Sequence, residues 1–451
     1  MQLTDDQLDA SAAFTDFLID EDEKYMVIMG AAGTGKSTLM KHLINTVEQK
    51  MKLYSLLLGK KREQGDFKIE LCATTNKAAA VLTELSQIQA RTIHSRLGLV
   101  PKQNYKTGET TFVKGRSHQI IYNTLLIIDE ASFISNDLLK DIESSTVDCK
   151  IVLVGDQYQL APVRQTVPIM DTISCSKVAL EKIMRHGGAI AEAGARFRET
   201  VKTGVFTNIV PNGKEIIHVD GPTFQRMIDT TFTDKTYTMD KARILAWTNT
   251  KVQQYNDHIR KINGHAPHLG KDDVLITNKA IINGGTSFIT DSEVRIRNEG
   301  HATTVMDIPG RMVILSDYGE YFLPDDQFAV AALLKFLAKE KNWKDFFEVK
   351  NNWLDLRPVY ASTVHKSQGS TYDTVFINLA DIGRCNITSD VARMLYVALT
   401  RASKQVVLYG ELPPKYRGGA NDTRGNQRSK GTQSLPPSHI GSVPEIPVCA
   451  A

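Results

Sequence analysis

Gly30-Ala31-Ala32-Gly33-Thr34-Gly35-Lys36-Ser37 follows the apolar run Tyr25–Met29 and opens a helical pattern that begins near Ser37. Strand, glycine-rich turn and helix in that order are the context a P-loop requires. Glycines let the main chain curl until successive N–H groups face one point, and the helix N-terminus adds partial positive charge there. The pattern places Lys36 at the β and γ phosphates of a nucleotide and the Ser37 hydroxyl on Mg²⁺. Gly30, Ala31, Ala32, Gly33, Thr34, Gly35 and Thr38 complete the cradle. A glycine-rich turn with no ligand is the plain alternative.

A second apolar run ends in acid, Leu125-Leu126-Ile127-Ile128-Asp129-Glu130. Asp129, at the strand's carboxyl end, is the expected partner of Ser37 in holding a metal. Glu130 is the expected base that takes a proton from attacking water. Such a strand is a weak signal alone and a strong one downstream of a P-loop, because phosphoryl transfer needs both a charge clamp and a positioned nucleophile.

Short apolar runs ending in glycine or acid alternate with helical patterns along the chain, the signature of parallel sheets with crossover helices. Tyr25–Met29, Ile69–Ala73, Leu125–Ile128 and Ile151–Val154 form one group; Ile244–Trp247, Val375–Leu379 and Val406–Tyr409 form another. Two stretches interrupt them. Gly98–Gly115 holds Lys106-Thr107-Gly108-Glu109, a hairpin turn signal. Residues 264–357 carry alternating segments such as Ser292–Arg297 and Arg311–Leu315, with helical spacing over Gln327–Lys341, and read as a small antiparallel barrel with a helix. From Pro413 the composition turns to Gly, Pro, Ser, Asn and basic residues without periodicity, so Lys415–Ala451 is expected to be disordered.

The bulk numbers fit a multidomain α/β enzyme. With 451 residues the chain exceeds one ordinary core, and 42% hydrophobic with 23% charged residues is ordinary globular usage. A net charge of +3 is too small to argue for a polyanionic partner. Cys72, Cys149, Cys175, Cys385 and Cys449 are scattered without metal-ligand or disulfide spacing. No run approaches the roughly 18 apolar residues of a membrane span, and the N-terminus lacks a signal pattern. A soluble cytoplasmic protein is expected, in the host cytoplasm if the source is viral.

The third acidic strand end, Gly155-Asp156-Gln157-Tyr158-Gln159-Leu160-Ala161-Pro162-Val163, resembles motif III of superfamily-one helicases. Read without that resemblance it is a polar loop closing a strand. Further segments match in family order. Leu3-Thr4-Asp5-Asp6-Gln7 resembles the Q motif; Leu180–Arg185 resembles motif IV; Ala361–Gly369 resembles motif V; Leu395–Ala402 resembles motif VI. The chain is similar to the phage Dda-type, RecD-like helicases of the 5′-to-3′ branch. The resemblance implies two RecA-like P-loop NTPase domains, with a β-hairpin inserted in the first and an SH3-like barrel plus helical tower in the second. It implies that Gln7 meets the adenine edge, Gln159 senses the γ-phosphate, Gly369 lies by the nucleotide, and Arg185 and Arg401 reach the γ-phosphate from across a cleft. Either arginine in isolation reads as a surface ion pair.

The expected limits are 1–97 and 116–195 for the first motor domain, 98–115 for the pin hairpin, 196–263 and 358–412 for the second motor domain, 264–357 for the barrel and tower, and 413–451 for the tail. Thr75, Asn76, Thr92, His94, Thr363 and His365 lie on segments that resemble the family's DNA contacts; hydroxyl and amide groups there grip phosphates without reading bases. His94 is equally a structural histidine. Phe112 in the hairpin, ahead of Tyr105, is the preferred wedge against the last base pair, with packing inside the insertion as its rival reading. The aromatic stretch Lys341–Trp353 is expected to pack internally as the tower.

These readings imply an ATP- and Mg²⁺-dependent helicase moving 5′ to 3′ on single-stranded DNA, with fork duplex DNA as substrate and a monomer as the working form. Single-strand-binding or replication proteins are further candidate partners, and no membrane is involved. A translocase that displaces proteins without unwinding, and a nucleotide-gated DNA-binding module, are the two alternatives. RNA as the track also stays open, since phosphate-centred grip discriminates poorly between the sugars.

Overall fold

The computed structural model describes residues 3–57, 68–103, 110–160, 169–182, 188–271, 273–279, 281–283, 286–288, 293–315 and 318–418. All seven strands expected from apolar runs form, and they fall into two parallel sheets. The chain therefore holds two RecA-like domains.

The first sheet has six strands in the order Ser176–Leu180, Tyr25–Gly30, Lys150–Gly155, Thr124–Asp129, Lys68–Ala73 and Arg91–Thr92, every pair parallel. Its central strands are apolar throughout because helices cover both faces. Met26, Ile28, Leu125, Ile127, Val152 and Val154 point to one core, shared with Phe14 and Phe17 of the helix Asp5–Ile19 and with Leu39 and Leu43 of the helix Lys36–Leu57. The intervening Val27, Leu126, Ile128, Ile151 and Leu153 point to the other, with Ile93, Leu138 and Ile142. This period of two fixes register, since a one-residue slip would exchange the faces.

The second sheet runs Ile216–Val219, Ala402–Tyr409, Tyr372–Asn378, Ala242–Ala246 and Ala361–Thr363, again parallel. Val375 and Ile377 face the helices Ala189–Thr203 and Thr388–Thr400. Phe376 faces Gly221–Phe232 and Asn249–Ile262. The limit expected at 195/196 falls inside the helix Ala189–Thr203, whose Ala193 and Phe197 join the second core, so the whole helix belongs with the second domain. A helix cannot be divided where both halves bury the same apolar stripe.

The second core also extends past the expected end at 412. Tyr416 is fully buried against Phe206 with ring centroids 5.0 Å apart, and its hydroxyl donates to Cys385 O at 2.8 Å. Burial of that ring, about 2 kcal/mol, holds Pro413–Arg417 on the domain, which corrects the disorder expected from Lys415; residues 419–451 lie outside the described residues.

Between Gly264 and Pro358 two three-stranded antiparallel sheets share one core, beside a two-stranded pair, Ile281–Asn283 with Thr286–Phe288. Glu293–Val294, Leu275–Thr277 and Leu356–Pro358 form the first; Ile296–Val305, Ile308–Leu315 and Tyr318–Pro324 form the second. Val294, Val313, Leu315, Leu323 and Leu356 meet between them. The helices Gln327–Lys339 and Trp343–Asn352 pack beside them. The dense aromatics do pack internally: Phe322 and Trp353 centroids lie 4.6 Å apart, and Trp343 and Phe346 5.4 Å. The cysteines Cys72, Cys149, Cys175 and Cys385 are free thiols. Among the described residues no helix is long and apolar enough to cross a membrane.

Candidate nucleotide cleft and nucleic-acid track

The P-loop joins the strand Tyr25–Gly30 to the helix that begins at Lys36. Gly33 and Gly35 adopt φ of 86° and 80°, which side chains resist. Gly30 is glycine for a different reason: a Cβ there would lie 2.6 Å from Thr34 Oγ1. Thr34 Oγ1 donates to Ala31 O at 2.9 Å, and Lys36 Nζ donates to Gly30 O and Ala31 O. The lysine thus caps its own loop. Ser37 and Thr38 open the helix, with Ser37 exposed.

Gln7 sits behind this loop. Its amide nitrogen donates to Thr34 O and Gly35 O, both at 3.3 Å, and its oxygen accepts from Thr4 N at 3.1 Å. Both ends of the amide are engaged within the protein, so Gln7 braces the P-loop in this structure; contact with an adenine edge would require these bonds to exchange.

Asp129 closes the strand Thr124–Asp129, and its Oδ1 accepts Glu130 N at 2.8 Å. Glu130 adopts a left-handed φ of 54°, and its carbonyl accepts Thr74 Oγ1 at 3.0 Å. That conformation costs a non-glycine residue about 1–2 kcal/mol. Desolvation raises the Asp129 carboxyl, opposed by the Glu130 N–H and the Lys36 charge. Desolvation, then the Asp129 charge, pushes Glu130 up to about 7, with Lys36 and Arg401 pulling it down. A carboxyl near 7 suits a group that must accept and return a proton at neutral pH.

Arg401 ends the helix Thr388–Thr400 of the second domain and is 5% exposed. Its N–H groups donate to Val397 O, Ser370 O and Thr400 Oγ1 at 3.2, 3.0 and 3.2 Å, all uncharged acceptors. Its charge nevertheless bears on Glu130, so the cleft brings Lys36, Glu130 and Arg401 to one place. Gly369, with φ of 71°, passes close by: a Cβ there would lie 3.8 Å from Glu130 Oε1. Gln159 is 4% exposed and its amide donates to Asp156 Oδ2 at 3.4 Å. Arg185 lies outside the described residues, as do Ala161, Pro162 and Val163. A cavity of about 570 Å³ adjoins the P-loop at Ala31 and Ala32, walled by Ile190, Arg198, Tyr396 and Thr400 of the second domain.

The expected nucleic-acid contacts gather at the carboxyl ends of strands. Thr75 Oγ1 accepts Ala78 N and Thr92 Oγ1 accepts Ser95 N, each at 3.2 Å, so both threonines cap helices and keep their hydroxyl hydrogens to donate. Asn76 is exposed beside Thr75, and His365 is exposed beyond the buried Thr363. Thr248 and Asn249, at the matching strand end of the second domain, are not among the expected contacts. Thr248 caps the helix Asn249–Ile262 as Thr75 caps Asn76–Ser86, and Asp381 holds it through Trp247 N, Thr248 N and Thr248 Oγ1 at 2.8, 2.8 and 2.9 Å. The shared signal is Thr-Asn just past an apolar strand, Thr75-Asn76 after Lys68–Ala73 and Thr248-Asn249 after Ala242–Ala246.

The strands Leu99–Gln103 and Thr110–Lys114 pair as an antiparallel hairpin with Pro101 opposite Phe112. Phe112 is 52% exposed, and its ring meets His94 at a centroid distance of 4.7 Å. His94 is therefore a ring partner of the hairpin, and burial holds its imidazole below the usual range. Tyr105 and the turn lie outside the described residues.

Comparison with known proteins agrees with this layout. An AAA domain family matches residues 2–208, and a UvrD-like helicase C-terminal domain family matches 358–409. The ATP-dependent DNA helicase Dda of enterobacteria phage T4 is 26% identical across 86% of this chain and 95% of its own length. This chain thus resembles the Dda- and RecD-like helicases of superfamily one. The RecBCD subunit RecD of Mycobacterium tuberculosis is 24% identical over 85% of this chain and 66% of its own length. A Bacteroides Pif1 helicase solved with ADP-AlF3 and single-stranded DNA aligns over 92% of this chain and 94% of that chain, at 15% identity and a TM-score of 0.46.

Proposed function

We propose that this protein is an ATP-dependent DNA helicase that moves 5′ to 3′ along single-stranded DNA and separates a duplex at a fork. One observation carries the reading: a Cβ on Gly369 of the second domain would lie 3.8 Å from Glu130 Oε1, the next residue's carbonyl holds Arg401 at 3.0 Å, and Tyr396 of the arginine's helix meets the P-loop at Ala32 N, so cradle, base and cation converge. A triphosphate held there would bind both domains at once, and its hydrolysis would release them from each other.

Within that reading the P-loop N–H groups and Lys36 bind the phosphates, Glu130 accepts the proton of the attacking water, and Arg401 offsets charge on the transferred phosphoryl group. Arg185 is assigned as a second cation and Gln159 as the residue that reports the γ-phosphate. Ser37 and Asp129 supply the hydroxyl and carboxylate oxygens that Mg²⁺ prefers, and the Lys36 charge already bears on Asp129, so these two would hold the ion. When bound, the ion supplies neutralisation of phosphate charge. Thr75, Asn76, Thr92, Thr363 and His365 grip the strand. The working form is a monomer in the cytoplasm, with single-strand-binding or replication proteins as partners.

The test measures ATP hydrolysis with and without a single-stranded oligonucleotide, and unwinding of duplexes bearing a 5′ or a 3′ overhang. Stimulated hydrolysis and unwinding from the 5′ overhang alone are expected. Lys36→Ala and Glu130→Gln should abolish turnover and still bind the strand; undiminished hydrolysis in both would refute the site.

A further inference from the structure

Two side chains of the helix Thr388–Thr400 reach out of the second domain into the first. Arg393 Nη1 donates to Gln157 O at 2.7 Å and to Gln159 O at 2.6 Å. Tyr396, 1% exposed, accepts from Ala32 N at 2.9 Å and donates to Asp156 Oδ2 at 2.7 Å. Asp156 is fully buried, and its other bonds come from neutral donors on its own loop, Tyr158 N at 3.0 Å and Gln159 Nε2 at 3.4 Å. The phenol thus links a P-loop N–H to a buried carboxylate. Desolvation and the Asp156 charge raise its pKa well above the usual range, so it stays a donor at any working pH.

The same helix delivers Arg401. Thr400 Oγ1 donates to Tyr396 O at 2.9 Å and accepts from Arg401 Nη2 at 3.2 Å, so the stretch from phenol to guanidinium is one braced unit. Withdrawing the helix would break both bonds of the phenol, and a hydrogen bond to a charged group such as the Asp156 carboxylate contributes about 1.5–3 kcal/mol. The bond chain therefore favours one docked position of the helix, and that position sets where the arginine meets Glu130.

We propose that Tyr396 is a positioning residue for ATP hydrolysis: its hydroxyl, seated between Ala32 N and Asp156 Oδ2, registers Arg401 against the P-loop when the two domains close. The inference rests on the assignment of Arg401 and Glu130 to hydrolysis. Tyr396 touches no reacting atom; it makes ordering of the P-loop and arrival of the arginine a single event.

The test compares Tyr396→Phe, Arg401→Ala and the double variant with the parent by steady-state ATP hydrolysis in the presence of a single-stranded oligonucleotide. Phenylalanine keeps the ring, and a misplaced arginine should lower kcat about 10- to 100-fold. KM should change by less than about threefold, and the double variant should be no slower than Arg401→Ala, since positioning has no effect once the arginine is gone. Hydrolysis by Tyr396→Phe within about twofold of the parent, or losses that multiply in the double variant, would overturn the proposal. An inactive parent, or an Arg401→Ala variant as fast as the parent, would instead overturn the reading of the cleft. If Tyr396→Phe loses its thermal transition, Asp156→Asn decides by the same comparison: a kcat loss absent in the Arg401→Ala background supports the relay, and full activity overturns it.

Discussion

Lys77 Nζ donates to Ser370 Oγ at 2.6 Å, while the carbonyl of the same serine accepts from Arg401 Nη1 at 3.0 Å. Ser370 is thus gripped from the first domain through its side chain and from the second through its backbone. The side-chain bond closes the cleft; the backbone bond orients the arginine and survives any substitution of the serine. Ser370→Ala and Lys77→Ala should each raise KM for ATP about fivefold in DNA-free hydrolysis, the equivalent of one hydrogen bond of about 1 kcal/mol. The double variant should match either single, because both remove the same bond. Additive effects would show that the two residues act separately.

The Glu130 carboxyl links the cleft to stability. It titrates near 7 in the folded chain against 4.5 for an unperturbed glutamate. Between those values the folded state retains a proton that the unfolded state has released, so stability falls as pH rises through that window and is level above it. Glutamine carries no such cost. Nucleotide-free Glu130→Gln should therefore be more stable than the parent at pH 8, by about 1–3 kcal/mol, with the advantage fading toward pH 4. Urea midpoints at both pH values check this, and an equal difference at the two would contradict it.

How far the sequence reveals this molecule depends on whether a feature is local. Lys36, Asp129 and Glu130 are legible because strand, turn and charge lie within a few residues, and the apolar runs give every central strand of both sheets. The strands Ile216–Val219 and Arg91–Thr92 are too short for a periodic signal. The limit at 195/196 fails because nothing in the sequence marks which core the helix Ala189–Thr203 joins. Gln7 is legible as a site residue but not as a brace, since its partners, Thr34 and Gly35, are contacts of the folded loop. Tyr396 and Asp156 illustrate the same limit: their types suit many roles, and only the docked helix brings them together.

Arg260 tests the joint between motor and insertion. It is 4% exposed and donates to both carboxylate oxygens of Asp273, at 2.7 and 2.9 Å, and to the carbonyls of Ala266, Pro267 and His268. Arg260→Ala takes the guanidinium from a buried carboxylate that keeps Gly270 N at 2.8 Å and His265 Nδ1 at 3.4 Å, and removes the donor to three carbonyls, so a loss of about 3 kcal/mol is expected. Asp273→Asn keeps an acceptor for the arginine and should cost less. Thermal unfolding that ranks the two variants the other way would show that the loop 266–273 gains its order elsewhere.

Phe112 separates unwinding from movement. Half its surface is exposed, and its described ring contact is with His94 in the same domain, so truncation removes little burial and should cost the fold about 1 kcal/mol or less. A ring held at that height on a hairpin can stack on an opened base, and base–aromatic stacking is worth about 1–3 kcal/mol. Phe112→Ala should therefore slow unwinding of a forked duplex about 5- to 100-fold, leaving DNA-stimulated hydrolysis within about twofold, and Phe112→Trp should restore unwinding. A hairpin that only packs on His94 predicts a different pattern: no selective loss in Phe112→Ala, or a fall in hydrolysis and unwinding together. That outcome would favour a motor that walks and displaces proteins over one that splits strands with this residue.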